Sequence, residues 1–128
     1  MRTTIRLFLL IEGVSFLAAG LIHRGVFIAG YAHQQASIAE TSIASALLVG
    51  FGLTWIWPGQ TRLIGVVAQA FALLGTLVGV FTIAIGVGPR TAPDIVYHLT
   101  ILTVLTWGLV VAARGPAETL QRASGGAS

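Results

Sequence analysis

Histidine and acidic side chains are scarce in this sequence, and several are spaced so that they could form one site. The chain has three histidines and four acidic residues. Asp94 and His98 are four residues apart, which places them on one face of a helix. Imidazole and carboxylate groups bind Zn, Cu or Fe, and they are also the common general acids and bases of enzymes. The set is therefore a candidate site for a metal, a haem or a ligand that exchanges protons.

A metal site would need ligands from several segments of the chain. No HxxxH, HExxH or ExxH pattern occurs, so no single helix can supply a full set. If the segments meet, the candidate metal ligands are His23, His33, Glu40, Asp94 and His98. Alternatively, Asp94 could orient His98 as the hydrogen-bond partner of a ligating imidazole.

Four of these residues also have a simpler, local interpretation. An S-x-x-E capping box ends at Glu40, and a similar Asp-ended pattern with an early proline ends at Asp94. Both acids could therefore only cap helices. His23 could be an ordinary interfacial histidine, and His33 could belong to a polar loop.

Glu12 has no such local interpretation, because it lies in the centre of a long apolar run. Burying a lone carboxylate in hydrocarbon costs several kcal/mol, so it should be protonated, hydrogen-bonded or hydrated. Gln69 lies at a comparable depth in another run and is a possible partner. A structural Glu12–Gln69 hydrogen bond is one hypothesis. The other makes Glu12 a catalytic acid–base or proton-relay group, with Glu12, Gln69 and His98 contacting a ligand.

The segments that must position these residues are four apolar runs. The chain is 55% hydrophobic and 9% charged, whereas soluble domains carry about 25% charged residues. A run of roughly 20 residues crosses the hydrocarbon core as a helix. We therefore predict an all-α, four-helix transmembrane bundle over 1–113, with helices at about 4–23, 37–57, 62–87 and 92–113 and a flexible tail at 114–128. The second helix could begin as early as residue 32.

The distribution of arginine predicts the orientation of this bundle. With a cytoplasmic N-terminus, the inner side holds Arg2, Arg6, Arg62, Arg114 and Arg122, and the outer side holds Arg24 and Arg90. Positive charge favours the cytoplasmic side, so both termini are predicted to be cytoplasmic. The histidines and most acids then fall towards the outer face, where three helices could surround an outward-facing cavity.

Composition also bounds the cellular setting and the partners. All seven basic residues are arginine, which together with the richness in Ala, Gly and Val indicates a bacterial chain in the inner membrane. The arginines form no patch, so nucleic-acid binding is not expected. There is no cysteine, which excludes disulfides and thiolate ligands. Gly75 and Gly79 form a GxxxG pair, which predicts a packing seam inside the bundle or between two copies.

The first helix carries a resemblance to a known family. The stretch Arg6-Leu7-Phe8-Leu9-Leu10-Ile11-Glu12-Gly13, continued by Phe16-Leu17-Ala18-Ala19-Gly20-Leu21, resembles the DoxX-like small four-helix bacterial membrane proteins. The resemblance implies a four-helix bundle over most of the chain. Some members of that family are linked to quinone-coupled oxidation, but the resemblance assigns no functional residue here.

We expect a small multi-pass protein whose outward-facing pocket binds a metal, a haem or a small lipophilic ligand such as a quinone. Two alternatives remain open: an accessory or anchoring subunit of a larger membrane complex, and a proton-coupled small transporter. The transporter hypothesis requires a homo-oligomer, because one four-helix protomer is small. Whether the protein is an enzyme is left open by the sequence.

Overall fold

The computed structural model describes residues 1–115, and the predicted tail lies outside them except for its first two residues. The helices are α1 Arg2–His23, α2 Gln34–Ile56, α3 Thr61–Ala84 and α4 Ala92–Arg114, with a 3-10 turn at Pro58–Gln60. The described part of the chain contains no strand. The predicted all-α, four-helix class is therefore confirmed.

Two helix boundaries differ by three residues from the predicted ranges, and one of them, the start of α2, lies between its two predicted limits at residues 32 and 37. Helix α2 begins at Gln34, because the Nδ1 atom of His33 accepts a hydrogen bond from the Ala36 amide at 3.2 Å and caps the helix. The residue expected to be the cap, Ser37, instead donates its hydroxyl hydrogen to the Gly20 carbonyl at 2.9 Å. Helix α3 ends three residues before the predicted position, where the backbone reverses at Gly86 with a φ of 83°.

Consecutive helices run antiparallel around the bundle. Each helix packs along the next one in sequence, α1 packs most extensively against α2, and α1 also touches α3 and α4. We call the end formed by the 24–33 and 85–91 connections the histidine end. The opposite end, which contains the N-terminus and the 3-10 turn, is the terminal end. His23, Glu40 and Asp94 all lie at the histidine end.

The surface of the bundle is apolar and its interior holds the polar groups, which is the reverse of a soluble protein. Large side chains such as Leu74, Phe81 and Trp107 are 62–65% exposed. The buried polar residues are Glu12, His23, Ser37, Glu40, Thr54, Thr61, Gln69, Thr76, Asp94 and His98. All four helices are long and apolar enough to cross a membrane. Lipid is the solvent that suits such a surface, so the chain is a multi-pass membrane protein.

The terminal end is held by arginine side chains that reach backbone carbonyls. Arg6 donates to the Thr54 hydroxyl at 3.1 Å and to its carbonyl at 2.6 Å, and its guanidinium lies 4.0 Å from the centre of the Trp55 ring. Arg62 donates to the Ala113 carbonyl at 2.9 Å. These bonds join α1 to α2 and α3 to α4 where the chain would leave the hydrocarbon core.

Midway along the bundle, Glu12 and Gln69 are both completely buried. The Gln69 amide donates to the Glu12 carboxyl, so the bond inferred from depth joins α1 to α3. Gly108 of α4 faces this pair. A Cβ atom there would lie 2.6 Å from Gln69 Nε2 and 3.0 Å from Glu12 Oε1. The pair therefore packs directly against the backbone of α4.

This close approach predicts that Gly108→Ala destabilises the bundle by about 1–3 kcal/mol, because overpacking forces the buried pair apart. Gly52→Ala is the matched control, since a Cβ added at Gly52 meets no atom within 4 Å. Circular dichroism during titration with sodium dodecyl sulfate measures the free energy of unfolding. Equal stability of the two variants would contradict the prediction.

Candidate functional site

His23 makes a hydrogen bond with each of its two ring nitrogens, and both partners are carboxylates. Its Nδ1 atom lies 2.7 Å from Glu40 Oε2, and its Nε2 atom lies 3.2 Å from Asp94 Oδ1. The three side chains are 5–6% exposed. His23 ends α1, Glu40 lies in the second turn of α2, and Asp94 lies in the first turn of α4. We call these residues the carboxylate–imidazole triad; it joins three helices at the histidine end.

The hydrogen bonds fix how many protons the triad can hold. If both carboxylates are ionised, both ring nitrogens must carry hydrogen. If one carboxyl group is protonated, the ring is neutral and still donates to the other. Either arrangement places one proton in each of the two bonds and leaves a net charge of one negative unit. Removal of either proton would set two lone pairs against each other, so the two bonds are coupled through the ring.

Asp94 belongs to the triad and to a helix cap at the same time. Its Oδ2 atom accepts hydrogen bonds from the hydroxyl and the backbone amide of Thr91, and its own amide bonds the Thr91 hydroxyl in a capping box. The other oxygen, Oδ1, faces His23. The cap interpretation is therefore confirmed for Asp94, and its role in a functional site stays a prediction. Glu40 is not a cap, because α2 begins two turns before it.

His98 lies one turn deeper than Asp94 and presents one nitrogen to open space. Its Nδ1 atom is 2.7 Å from the Asp94 carbonyl, an acceptor, so Nδ1 carries a hydrogen. In the neutral form of the ring, Nε2 then has a free lone pair. It points at Gly79, where a Cβ atom would lie only 3.3 Å away. The Tyr97 ring packs edge-on against the His98 ring at 5.7 Å between centroids.

A cavity of about 140 Å³ lies between α2, α3 and α4 beside this nitrogen. Its wall is mostly apolar, with Phe16, Ile43 and Ile83 among the lining side chains. The polar residues that line it are His33, Gln35, Glu40, Thr76, Thr82 and His98. Gly75 and Gly79 contribute backbone only, so the predicted GxxxG seam of α3 faces the bundle interior and leaves part of this space open.

The polar atoms deep in the cavity are hydrogen-bond acceptors. One oxygen of Glu40, Oε1, is buried without a partner, whereas Oε2 is bonded to His23. The Thr76 and Thr82 hydroxyls donate to carbonyls of their own helix, which leaves lone pairs. With the free Nε2 of His98, the interior offers acceptors and no free donor from these four residues. A ligand group that reaches these atoms must therefore be a donor, whereas His33 and Gln35, which also line the cavity, offer N–H groups.

His33 lies near the triad but does not bond to it. Its ring packs edge-on to the His23 ring with 6.5 Å between centroids, and its backbone amide donates to the His23 carbonyl at 2.7 Å. Its Nδ1 atom caps α2. His33 therefore lines the cavity and also fixes the start of α2.

The other side of the triad faces a second opening, a groove of about 340 Å³ between α1 and α4. His23 and Asp94 line this groove, whereas Glu40 lines the cavity. Ser15 and Tyr97 also line the groove, and their hydroxyl oxygens lie 3.3 Å apart. The triad thus lies between the cavity and this groove, and His23 also lines a third opening beside Arg24 and Ser37.

The hypothesis of a metal or haem site gains no support from this arrangement. Among residues 1–115, no group of three or more His, Asp or Glu side chains is placed to hold a metal ion. Both nitrogens of His23 face carboxylates, and Nδ1 of His98 and of His33 is bonded to backbone. The cavity is also the size of one ring, whereas a porphyrin contains four pyrrole rings.

The structure separates Glu12 and Gln69 from the other predicted site residues. Residues 12 and 23 of one helix are about 16 Å apart along its axis. The residues that line the cavity and the groove include neither Glu12 nor Gln69. Their oxygens Glu12 Oε1 and Gln69 Oε1 are buried without partners. The pair therefore joins α1 to α3 away from both openings.

Two residues at the site were not identified from the sequence. Gly79 provides space for the His98 ring, and the only sequence signal was its place in the small-residue seam. Tyr97 contacts Phe16 and His98 edge-on and lies next to His98 in sequence. Both contacts depend on how α1, α3 and α4 pack, which a pattern within one helix does not contain.

Comparison with known proteins identifies no relative: no family model matches the chain, and no curated protein or solved structure matches it. The resemblance of α1 to the DoxX-like proteins therefore stays a prediction. The function must be argued from the chemistry of the triad and the cavity.

The triad makes a specific prediction about stability. We expect His23→Leu to lower the free energy of unfolding by about 3–5 kcal/mol, because it leaves Glu40 and Asp94 buried without their shared partner. The double variant His23→Leu/Glu40→Leu should be more stable than His23→Leu, since it removes one uncompensated acid. Titration with sodium dodecyl sulfate measures both. A double variant less stable than the single one would refute this account.

Proposed function

We propose that the protein is a membrane receptor or enzyme subunit that binds the hydroxyl-bearing ring of a small lipophilic molecule at the histidine end. A reduced quinone or another phenol has this chemistry. The observations that carry the proposal are the ring-sized cavity, the Glu40 and His98 side chains among its lining residues, and the buried, unpartnered Oε1 atom of Glu40. Apolar pockets with a few convergent polar groups are the usual form of small-molecule sites.

The size of the cavity supports this class of ligand. An apolar cavity of about 150 Å³ is large enough to bind benzene, and the volume here is about 140 Å³. Phe16, Ile43 and Ile83 would contact the ring faces and edges. The cavity lies at membrane depth, so a lipophilic ligand can carry the rest of its structure into the lipid beside α3.

The polarity of the cavity distinguishes a hydroxyl from a carbonyl. Glu40 Oε1 and His98 Nε2 both accept hydrogen bonds. A quinol or phenol O–H can satisfy one of them, whereas a carbonyl oxygen placed at either of these two atoms would face a lone pair. A site built around a hydroxyl discriminates strongly against an analogue that lacks it, because the buried polar atoms then stay unpaired.

The alternatives from the sequence have less support. A proton-coupled transporter was inferred from Glu12, but that residue pairs with Gln69 and lines neither opening. An accessory or anchoring subunit needs no site, so it gives no reason for a free acceptor at Glu40. It becomes the preferred function if the cavity binds nothing.

For the location, we propose the inner membrane of a bacterium, with the histidine end facing outward. Among the described arginines, four lie at the terminal end and two in the connections of the histidine end, Arg24 and Arg90. This excess favours a cytoplasmic terminal end. The cavity would then open towards the outer leaflet.

Binding of 4-nitrophenol to the detergent-purified protein, followed through its absorption spectrum, tests the proposed site. We expect saturable binding, and binding of 4-nitrotoluene weaker by about tenfold or more, because a methyl group replaces the donor hydroxyl. Gly79→Leu should abolish binding by filling the cavity.

Gly52→Leu is the matched control for that variant. It adds the same side chain to a helical glycine with open space around it, so it should bind 4-nitrophenol as the unsubstituted chain does. Equal affinity for the nitrophenol and the nitrotoluene, or binding that survives Gly79→Leu, would show that the ligand dissolves in the detergent or binds elsewhere.

The orientation can be measured with single cysteines, because the chain has none of its own. Ala29 lies exposed in the first connection of the histidine end, and Gln60 lies exposed at the terminal end. In intact bacterial cells, a membrane-impermeant maleimide should label Ala29→Cys but label Gln60→Cys only after lysis. The reverse labelling would invert the proposed topology.

A further inference from the structure

We propose that the carboxylate–imidazole triad carries protons between the cavity and the α1–α4 groove, so that a hydroxyl ligand can lose its proton while it is buried. This inference rests on the proposed function of the cavity. Its basis is the position of the triad: Glu40 lines one opening, and His23 and Asp94 line the other. Two hydrogen bonds of 2.7 and 3.2 Å connect these residues without a gap.

The ligand would enter the chain of hydrogen bonds at Glu40. Its Oε1 atom is the oxygen left free by the bond from Oε2 to His23. Because the ligand fills the cavity, its hydroxyl has no direct contact with water. A carboxylate within hydrogen-bond reach is then the general base available to it.

The step conserves atoms and charge. The ligand O–H bond breaks and an O–H bond forms on Glu40, which becomes neutral. The imidazolium of His23 then passes the hydrogen on Nε2 to Asp94 Oδ1, and Asp94 releases a proton to water in the groove. The triad again carries one negative charge, the ligand becomes an anion, and one proton leaves. No proton then lies between His23 Nε2 and Asp94 Oδ1, so two lone pairs face each other and this state is higher in energy than the resting one. The proton that leaves is not the one that entered, and reprotonation of the ligand follows the same steps in reverse.

Apart from the groove-lining Tyr31 and Tyr97, three charged or titratable side chains lie near His23, and none of these three offers a second route of this kind. His33 presents the edge of its ring without a hydrogen bond to His23. Arg24, the next residue in the chain, donates its Nε hydrogen to Ser37 at 3.2 Å, and a guanidinium does not give up a proton near neutral pH. His98 reaches the triad only through the backbone carbonyl of Asp94.

A rapid pH jump on the protein loaded with 4-nitrophenol tests the relay, because the phenolate absorbs visible light and the phenol does not. We expect Asp94→Asn and His23→Gln each to slow deprotonation of the bound ligand by about tenfold or more, with the dissociation constant changed by less than about threefold. Asn keeps an oxygen for the α4 cap but cannot take up the proton. The rate of ligand release is measured separately by dilution. It must be slower than the absorbance change that is assigned to deprotonation of the bound ligand.

Thr100→Val on the lipid-facing side of α4 is the control and should leave the rate unchanged. Two relay variants on different helices are used, so that one decides the result if the other does not fold. Unchanged rates in a folded relay variant would overturn the inference while the binding site stands. Failure of the unsubstituted protein to bind 4-nitrophenol would overturn the binding site and the relay together.

Discussion

The absence of water from the hydrocarbon core is the constraint on which the rest of this structure depends. A polar group at membrane depth can find a partner only inside the bundle, because lipid offers none. Glu12 finds Gln69, Arg6 finds Thr54, and His23 finds two carboxylates. These pairs lie at three successive depths and join different helices. Packing of small residues, including Gly108 against the Glu12–Gln69 pair, brings the helices close enough for the bonds to form.

The same constraint explains why the histidine end is the place for chemistry. At the terminal end and at mid-depth, polar atoms are bonded across helices or sealed by packing, and no opening there is lined by acids or histidines. At the histidine end, a glycine-lined void leaves acceptors of Glu40 and His98 without partners. An unpartnered buried acceptor is unfavourable in the folded state. That cost is recovered when a donor ligand enters, so the cavity is prepared for one chemical class of ligand.

The number and the approximate length of the helices could be predicted from the sequence, because both follow from runs of apolar residues that are contiguous in the chain. The depth of Glu12 and Gln69 also sufficed to suggest their bond. The sequence left the start of α2 open between residues 32 and 37. The S-x-x-E pattern that ends at Glu40 is typical of a capping box, but the side chain that caps the helix is His33. The convergence of His23 with Glu40 and Asp94 was only a possibility, since the rotation of three helices about their axes decides it. The cavity depends on packing between helices and has no sequence pattern of its own.

Asp94 gives the site a mechanical property besides its electrostatic one. One oxygen of its carboxyl group holds the first turn of α4, and the other holds the imidazole. A torsion of this carboxyl that favours one bond weakens the other, so the ring of His23 and the start of α4 cannot relax independently. Fraying of that turn would loosen the ring, and a change at the ring would be transmitted as strain into the 85–91 connection. The first turn of α4 and the carboxylate–imidazole triad therefore depend on the same side chain, Asp94.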